Sequence, residues 1–490
     1  MKITLASPIP LHDLALMAGG RLMSCGLRDG VEITHICTDS READEHTLFC
    51  AIRGERVDGH DYIPKAASLG CVAFLCERLP VEAPACGCAS ILVHDTVEAL
   101  SAMARAYRTE TMKDLSVVAI TGSVGKTTTK EMTAAVLSRG KSLFKKDGNF
   151  NSTIGLPLSF MEISSETDCA VLEMGMSNRG EISAMTRSVR PDIAVIANIG
   201  SSHLEYLGSR ENIARAKLEI AEGLSDGGIL LINGDEPLLH ELGQDFGEDL
   251  PMIPSGIRTL RVSLSGAENA DYTAENIRAS DGGMIFDLTT PEGVWEGLYI
   301  PAVGEHLVWA ASFAAAVGQL DGLTEGQVRA GLATYRPANM RQNIRTVGGL
   351  TVIEDCYNAA PESMKAALAV LALTASETAD SRRIAVLGDM KELGENTVFL
   401  HRSVGRAAYE SGVDLLVTVG DLGAEIARGA LEAGMNPDTV CIRGGADTYA
   451  ATADHLKAIL REGDHVLFKA SRSMALETIA KAVMQEIGNC

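Results

Sequence analysis

The chain has 490 residues, of which 46% are hydrophobic, 22% are charged and 4% are aromatic, a composition that excludes disordered and fibrous proteins and indicates about three globular domains. Its 65 acidic and 43 basic residues leave a formal net charge of −22, so a nucleic acid backbone would be repelled and we expect no nucleic acid partner. The 11 cysteines show no CxxC pair and no Cys/His spacing typical of zinc sites, and we interpret them as reduced thiols of a cytoplasmic protein.

Apolar segments of the chain are too short to cross a membrane. His12 and Asp13 interrupt the apolar stretch at the start of the chain, which argues against a secretory signal. The longest apolar run, from His306 to Leu320, falls short of the roughly 20 residues that a membrane span needs. We therefore predict a buried helix there and no membrane insertion.

Apolar runs, helical periodicity and Gly/Pro punctuation divide the chain into three α/β domains. Residues 1–112 are predicted to form a small mixed α/β domain, with strands at 47–52 and 70–75 and a helix at 63–69. Residues 113–336 are predicted to form a central P-loop ATPase domain with a mostly parallel sheet, and residues 337–490 a Rossmann-like domain. The predicted parallel strands are 115–120, 169–173, 192–199 and 228–232 in the second domain, and 350–354, 383–387, 414–419 and 465–469 in the third. Antiparallel strands are expected between residues 260 and 299.

The strongest local signal is a phosphate loop after the strand at 115–120. Here the sequence TGSVGKTT, residues 121–128, leads from a buried strand into a helix that begins near Lys126. Backbone N–H groups of such a turn face phosphate oxygens, Lys126 adds a mobile cation, and the Thr127 hydroxyl can ligate Mg²⁺. Ile120 stands where the full GxxxxGK[ST] motif has its first Gly, so an ordinary strand–turn–helix junction remains the alternative. The candidate nucleotide-binding residues are Thr121, Gly122, Ser123, Val124, Gly125, Lys126, Thr127 and Thr128.

Three ionisable side chains accompany later strands of the second domain. Glu173 ends a strand at the sheet edge where α/β proteins bind ligands, so it is either a Mg²⁺ ligand or a solvated loop carboxylate. His203 is either a ligand of metal or phosphate or a hydrogen-bonded structural residue. Lys217, judged from the residues alone, is an ordinary surface lysine.

These motifs, in this order, resemble the Mur ligases, the ATP-dependent amino-acid-adding enzymes of peptidoglycan synthesis. The resemblance extends from about Thr38 to Glu477, nearly the whole chain. The matching segments are 38–41 (TDSR), 58–61 (DGHD), 121–130, 148–151 (GNFN), 173–176 (EMGM), 198–208, 355–359 (DCYNA), 387–394 (LGDMKELG) and 469–474 (KASRSM). The positions at which the family pattern has Asn and this chain departs from it are Ser152, Leu307, Ala310 and Ala360.

The resemblance implies ATP and two Mg²⁺ ions at the phosphate loop. It makes Thr127 and Glu173 ligands of one ion and places Glu173, His203 and a carbamylated Lys217 around the second. Carbamylation turns the lysine cation into an anion, which would explain a lysine close to two metal ions and a triphosphate. Lys126, Glu173, His203 and Lys217 form the expected catalytic set, and whether His203 also acts as a general base stays open.

Further site residues are implied in the other two domains. Ser40 and Arg41 would belong to the surface that binds UDP. Arg341 would lie at the junction of the second and third domains, and Asn358 would meet the nucleotide from the third domain. Three residues follow strands of the third domain and would either contact an incoming dipeptide or serve as structural caps and ion-pair partners: Asp389, Ser471 and Arg472.

The implied activity is a ligase reaction that joins D-Ala-D-Ala to UDP-N-acetylmuramoyl-tripeptide through an acyl phosphate. UDP, ATP and the dipeptide would each have one domain, and closure of the third domain about a hinge at 335–341 would bring the amine to the acyl phosphate. We expect a monomer. The sequence leaves open diaminopimelate or lysine in the tripeptide, and D-Ala-D-Ala or D-Ala-D-lactate as the incoming group.

Three other functions compete with dipeptide addition. A Mur ligase that adds the third amino acid normally carries Asp-Asn-Pro-Arg, and this tetrapeptide does not occur in the sequence. A folylpolyglutamate synthetase would not need the long first domain with its segment at 58–61. A P-loop ATPase that signals to a protein partner would hydrolyse ATP without a carboxylate substrate.

Overall fold

The computed structural model of the chain describes residues 1–25, 30–79, 87–148, 150–240, 254, 256–376, 381–444 and 448–487. Within these residues three sheets follow one another along the chain, and we call the parts that carry them the first, second and third domains. The predicted three-domain α/β class is confirmed. The cysteines whose side chains the structure describes are free thiols, as expected.

The first domain is built on a six-stranded sheet of order β1-β3-β4-β5-β6-β2. Strands β3 to β6 are parallel, and β1 and β2 pair antiparallel at the two edges. The predicted strands at 47–52 and 70–75 correspond to β4 and β5, and the predicted helix at 63–69 to α2. The elements are β1 (Lys2–Pro10), α1 (Leu11–Met17), β2 (Arg21–Cys25), β3 (Glu32–Cys37), β4 (Thr47–Cys50), α2 (Ile63–Ser68), β5 (Ala73–Cys76), β6 (Cys88–Leu92) and α3 (Thr96–Ala106).

The second domain has a nine-stranded sheet of order β15-β14-β13-β12-β11-β10-β7-β9-β8. All four predicted parallel strands are present, as β7, β9, β10 and β11. The elements are β7 (Ser116–Thr121), α4 (Lys126–Leu137), β8 (Leu143–Lys145), α5 (Gly155–Phe160), β9 (Cys169–Glu173), α6 (Glu181–Val189), β10 (Ile193–Ile196), α7 (Leu204–Leu207), α8 (Arg210–Leu218), β11 (Ile229–Asn233), α9 (Pro237–His240), β12 (Arg258–Ser263), β13 (Tyr272–Ser280), β14 (Gly283–Thr290), β15 (Gly293–Ile300), α10 (Glu305–Leu320) and α11 (Glu325–Leu332).

The expected antiparallel extension is correct only for β13, β14 and β15. Strand β12 runs parallel to both β11 and β13, because the chain crosses over between β12 and β13 instead of turning back. The tight reversal comes one strand later, at Asp281 and Gly282, which both have positive φ values of 48° and 71°. This Asp-Gly pair matches the twist of an antiparallel hairpin and therefore joins β13 to β14.

The apolar run at 306–320 forms the predicted buried helix, α10. It packs on α4 and on the sheet at β13. A Cβ at Gly318 would lie 2.6 Å from the Val136 side chain, so the glycine lets α10 approach α4 closely. In the described part of the chain, no helix has the length and apolar character that crossing a membrane requires.

The third domain has a six-stranded sheet of order β16-β17-β21-β18-β19-β20, parallel except for the edge strand β16. This is the Rossmann-like sheet expected from the sequence, and the four predicted strands are β17, β18, β19 and β21. The elements are β16 (Asn343–Val347), β17 (Leu350–Glu354), α12 (Pro361–Ser376), β18 (Arg383–Gly388), α13 (Thr397–Glu410), β19 (Leu415–Val419), α14 (Gly423–Ala433), β20 (Val440–Arg443), α15 (Thr448–Ile459), β21 (His465–Lys469) and α16 (Glu477–Ile487).

Candidate active site

The phosphate loop lies between β7 and α4, where β7 is flanked by β9 and β10. Gly125 has a φ of 81° and directly precedes α4, a left-handed conformation that favours glycine at the turn into the helix. Asn198, which follows β10, accepts hydrogen bonds at Oδ1 from the backbone N–H groups of Ser123 and Val124, both at 3.0 Å. Its Nδ2 donates to the Val124 carbonyl at 2.9 Å, so one side chain holds the loop in shape.

Lys126 is folded back over this loop. Its Nζ donates to the carbonyl oxygen of Gly122 at 2.7 Å and lies 3.3 Å from that of Ser123. Burial lowers the pKa of Lys126, the nearby carboxylate of Glu173 opposes this shift, and the positive charge of Arg341 adds to it. Among the described residues, the Lys126 ammonium group donates to carbonyl oxygens alone, so it can move to a phosphate group.

Thr127 and Glu173, the expected pair of metal ligands, are in direct contact. The Thr127 hydroxyl donates to Glu173 Oε2 at 2.7 Å, and Asn151 Nδ2 donates to Glu173 Oε1 at 3.0 Å. Within the described ranges, no three His, Cys, Asp or Glu side chains are grouped as a metal site. A hydroxyl and one carboxylate next to a phosphate loop nevertheless fit Mg²⁺, which is usually bound by one or two carboxylates together with substrate phosphates. Asn149 of the same motif lies outside the described residues.

Lys217 lies in α8 and is only 1% exposed, so the interpretation as a surface lysine is wrong. Burial lowers its pKa well below the ordinary value, and the charge of Lys126 lowers it further. No ion pair in the described structure includes Lys217. An unpaired cation at such a depth is costly, so the environment favours the neutral amine or an anionic derivative.

His203, expected with Glu173 around the second metal ion, contacts the third domain. It directly precedes α7 with a φ of 64°, and its Nδ1 lies 2.7 Å from Glu392 Oε2. The imidazole lowers the pKa of Glu392 through this contact. His203 therefore lies at the junction between the second and third domains.

A cavity of about 300 Å³, here called the first cavity, opens beside the phosphate loop between the second and third domains. Arg341 lies across the ring of Tyr357, 4.1 Å from its centroid, as a cation–π pair at the domain junction. Thr121 and Gly122 do not line the cavity, and the Thr121 hydroxyl donates to the Met174 carbonyl. The predicted nucleotide-binding residues that do line it are Ser123, Val124, Gly125, Lys126, Thr127, Thr128, Arg341 and Asn358.

Several residues of the first cavity had no role predicted from sequence. Asp355 accepts from Lys469 Nζ at 2.6 Å, and Lys469 is 2% exposed, so a buried lysine and a half-buried aspartate pair at the ends of β17 and β21. Asp355 and Lys469 lie in the family motifs, Trp309 lies in the predicted buried helix, and Tyr335 begins the predicted hinge. Glu362, the second residue of α12, also lines the cavity.

A second cavity of about 420 Å³ adjoins the first through Ser123 and Lys126. It is lined on the third-domain side by Lys391, Glu392, Ser471 and Arg472. Asp389 does not line it, because its Oδ1 accepts the backbone N–H groups of Leu422 and Gly423 at the start of α14, at 3.0 and 3.1 Å. The carboxylate of Asp389 lies 3.2 Å from Lys391 Nζ and 2% of the residue is exposed. This geometry is that of a structural cap.

Ser40 and Arg41 lie far along the sequence from this centre, in the first domain. They begin a 3₁₀ turn, Ser40–Glu42, in which the Asp39 carboxylate accepts from the backbone N–H of Arg41. Ser40 is buried, and the exposed Arg41 guanidinium contacts the Asp39 carboxylate at 2.5 Å. This contact raises the pKa of Arg41 and lowers that of Asp39.

Comparison with known proteins identifies the family. Family models described as the Mur ligase family catalytic domain, the Mur ligase middle domain and the Mur ligase glutamate ligase domain match residues 32–108, 120–318 and 340–472. A UDP-N-acetylmuramoyl-tripeptide–D-alanyl-D-alanine ligase of Bacillus subtilis (strain 168) is 40% identical over 483 residues, 97% of this chain and 98% of that protein. The chain belongs to the Mur ligase family.

Solved structures of two Mur ligases have the same fold as this chain over nearly its whole length. MurF from Acinetobacter baumannii is 29% identical with a TM-score of 0.85, and the match covers 99% of this chain and 100% of that one. MurF ligase from Thermotoga maritima, solved in complex with ADP, is 28% identical with a TM-score of 0.78, covering 93% and 98% of the two chains. The family resemblance predicted from the motifs is confirmed.

Proposed function

We propose that this Mur ligase uses ATP to join D-alanyl-D-alanine to the terminal carboxylate of UDP-N-acetylmuramoyl-tripeptide, which gives the pentapeptide precursor of peptidoglycan. The observation that carries the proposal is the phosphate loop, with Lys126 and the Thr127–Glu173 pair, in a cavity shared by the second and third domains. The full-length similarity to a relative named for this reaction supports the choice of substrates.

The reaction runs in two transfers. A carboxylate oxygen of the tripeptide attacks the γ-phosphorus of ATP, the bond to the bridging oxygen breaks, and ADP leaves. The amine of the dipeptide then attacks the acyl carbon, phosphate leaves with the C–O bonding electrons, and the amine loses a proton. Two anions must approach in the first transfer, and Lys126 reduces their repulsion. Thr127 and Glu173 would hold Mg²⁺, which would supply further positive charge beside the phosphate oxygens.

We propose that three side chains surround a second Mg²⁺ ion: Glu173, His203 and a carbamylated Lys217. Only a neutral amine reacts with CO₂, and burial lowers the pKa of Lys217, which increases the neutral fraction at any given pH. The product is a carbamate anion, which removes the cost of an unpaired buried cation. This modification is supported by the burial of Lys217, by its lowered pKa and by the absence of an ion pair to it among the described residues.

The three domains receive one ligand each in this proposal. The first domain, residues 1–112, binds UDP with Ser40 and Arg41; the second, residues 113–336, binds ATP; and the third, residues 337–490, binds the dipeptide. Ser471 and Arg472 line the second cavity and would contact the dipeptide, with Lys391 beside them. Asp389 would support the dipeptide site indirectly, by holding the start of α14 and the side chain of Lys391 in place. We expect a cytoplasmic monomer with its hinge at 335–341.

The decisive experiment measures phosphate release from ATP and Mg²⁺ in the presence of UDP-N-acetylmuramoyl-tripeptide, with and without D-Ala-D-Ala. We expect release that requires both substrates and a product with the mass of the pentapeptide nucleotide. Omission of either substrate is the control. A rate of phosphate release that does not depend on either substrate would instead identify an ATPase with another partner.

Mg²⁺ dependence should report on the Thr127–Glu173 pair and on Asn151, which orients the carboxylate. We expect Asn151→Ala to raise the Mg²⁺ concentration for half-maximal activity about tenfold, because the ligand loses its supporting hydrogen bond. Glu173→Gln should raise it further. Mg²⁺ titrations of the phosphate-release rate measure both effects, with the exposed Asn178→Ala as control. Unchanged titrations in both site variants would place the ion elsewhere.

A further inference from the structure

We propose that Glu362 is a positioning residue that transmits docking of the third domain to the phosphate loop through Ser201 and Gly200. The inference rests on the proposed function, in which the third domain brings the amine to an acyl phosphate formed at that loop. Glu362 lies in the first turn of α12, next to the domain junction, and belongs to neither the proposed metal site nor the phosphate loop.

Glu362 makes two hydrogen bonds across the domain boundary to one residue. Its Oε1 accepts from the backbone N–H of Ser201 at 2.9 Å and from the Ser201 hydroxyl at 2.8 Å. Ser201 is 7% exposed and follows β10, whereas Glu362 belongs to the third domain. Hydrogen bonds to a carboxylate are about twice as strong as neutral ones. Because the two residues belong to different domains, this contact requires the docked arrangement.

The same short segment continues to the phosphate loop. The backbone N–H of Gly200, the residue before Ser201, donates to the Ser123 hydroxyl at 2.8 Å, and Ser202 Oγ lies 3.3 Å from the Ser123 carbonyl oxygen. A Cβ at Gly200 would lie 3.0 Å from the Glu362 carboxyl carbon, so a side chain there would push the carboxylate away. Glu362, Ser201, Gly200 and Ser123 thus form a continuous path from α12 to the loop.

A carboxylate at the position of Glu362 costs free energy that a neutral side chain would not. Its second oxygen, Oε2, is buried and has no hydrogen-bond partner among the described residues. Glu362 also lines the first cavity, where a carboxylate repels the phosphates of a nucleotide. A buried acceptor without a donor costs free energy, and a neutral residue would avoid both penalties. The gain that offsets them is the strength of the two bonds to Ser201, which exist only when the third domain is docked.

Exchange of backbone amide hydrogens tests the contact without any catalytic assay. In the full-length protein we expect the peptide that contains Ser201 to exchange faster in Glu362→Ala than in the unmodified protein. Glu362→Gln should be intermediate, because the amide oxygen still accepts but carries no charge. The matched control is Glu410→Gln, an exposed residue at the end of α13 in the same domain.

Steady-state kinetics tests the consequence for the reaction. We expect kcat of Glu362→Ala to fall about tenfold, the effect of one lost charge-assisted hydrogen bond, with KM for ATP nearly unchanged. Glu362→Gln should recover part of kcat. Adding Ser201→Ala to Glu362→Ala should cause no further loss, because the two side chains act through one contact. A merely structural role would lower the melting temperature and leave no such split between kcat and KM.

The two assays separate this inference from the proposed function. Unchanged exchange at Ser201 in Glu362→Ala, or an unchanged kcat, overturns the positioning role. Additive losses in the double variant overturn the path through Ser201. An unmodified protein that makes no pentapeptide nucleotide, but whose Ser201 exchange still depends on Glu362, supports the docking contact and overturns the proposed substrates.

Discussion

Replacement of Lys126 by Met should reduce kcat/KM for ligation by about 10³-fold, the upper range for loss of one group that stabilises transition-state charge. Lys126 lies over the phosphate loop, where its ammonium group donates to the Gly122 carbonyl oxygen and lies near that of Ser123, so it can move with the γ-phosphoryl group. Met keeps most of the side-chain volume and removes the charge. The rate of phosphate release with both substrates present measures this loss.

The exposed Lys113→Met is the matched control for the Lys126 variant, and it should retain full activity. Thermal unfolding of both variants separates a catalytic loss from a folding defect, since Met replaces a cation whose burial is itself unfavourable. We expect a melting temperature equal to or above that of the unmodified protein. Activity of Lys126→Met within tenfold of the unmodified enzyme would contradict the assigned role.

Replacement of Lys217 by Ala should lower kcat by at least about 100-fold, and short carboxylic acids should restore part of it. The side chain is buried, has a strongly lowered pKa, and makes no ion pair within the described structure. If the working form is a carbamate, the variant lacks an anion in a space that formate, acetate or propionate can fill. Titration of these acids into the phosphate-release assay measures the recovery.

The Lys126→Met variant is the control for this rescue, because added carboxylates cannot replace a missing cation. A second readout is the dependence on CO₂. As pH falls through the lowered pKa of Lys217, the amine becomes protonated and can no longer carry CO₂, so activity should decline on the acidic side. The enzyme is first depleted of CO₂ at acidic pH and then returned to neutral pH. Adding bicarbonate at that point should restore its activity. A Lys217→Ala variant that no acid rescues would leave the lysine with a structural role only.

Local sequence was sufficient for the parts of the site that lie within one strand–loop–helix unit. The apolar strand β7, the glycines of the phosphate loop and the start of α4 at Lys126 follow from backbone preferences and spacing over a few residues. Glu173 at the end of β9 follows from the rule that parallel strands present their carboxyl ends at one sheet edge. The three-domain α/β class and the family could also be predicted from sequence, because both follow from local patterns and motifs.

The tertiary structure decided everything that depends on contacts between distant segments. Judged from the residues alone, Lys217 looked like a surface lysine, because nothing in its own helix reveals what covers it. The family resemblance implied a carbamylated lysine at the metal site, and packing places the side chain at 1% exposure. Asp389 was open between substrate contact and capping until the start of α14 was seen to meet its carboxylate. Glu362 gave no signal at all, since its partner Ser201 lies in another domain and hydrogen bonds across such a distance leave no local pattern in sequence. Local patterns therefore determined which elements form, whereas burial and pairing between domains determined which side chains meet.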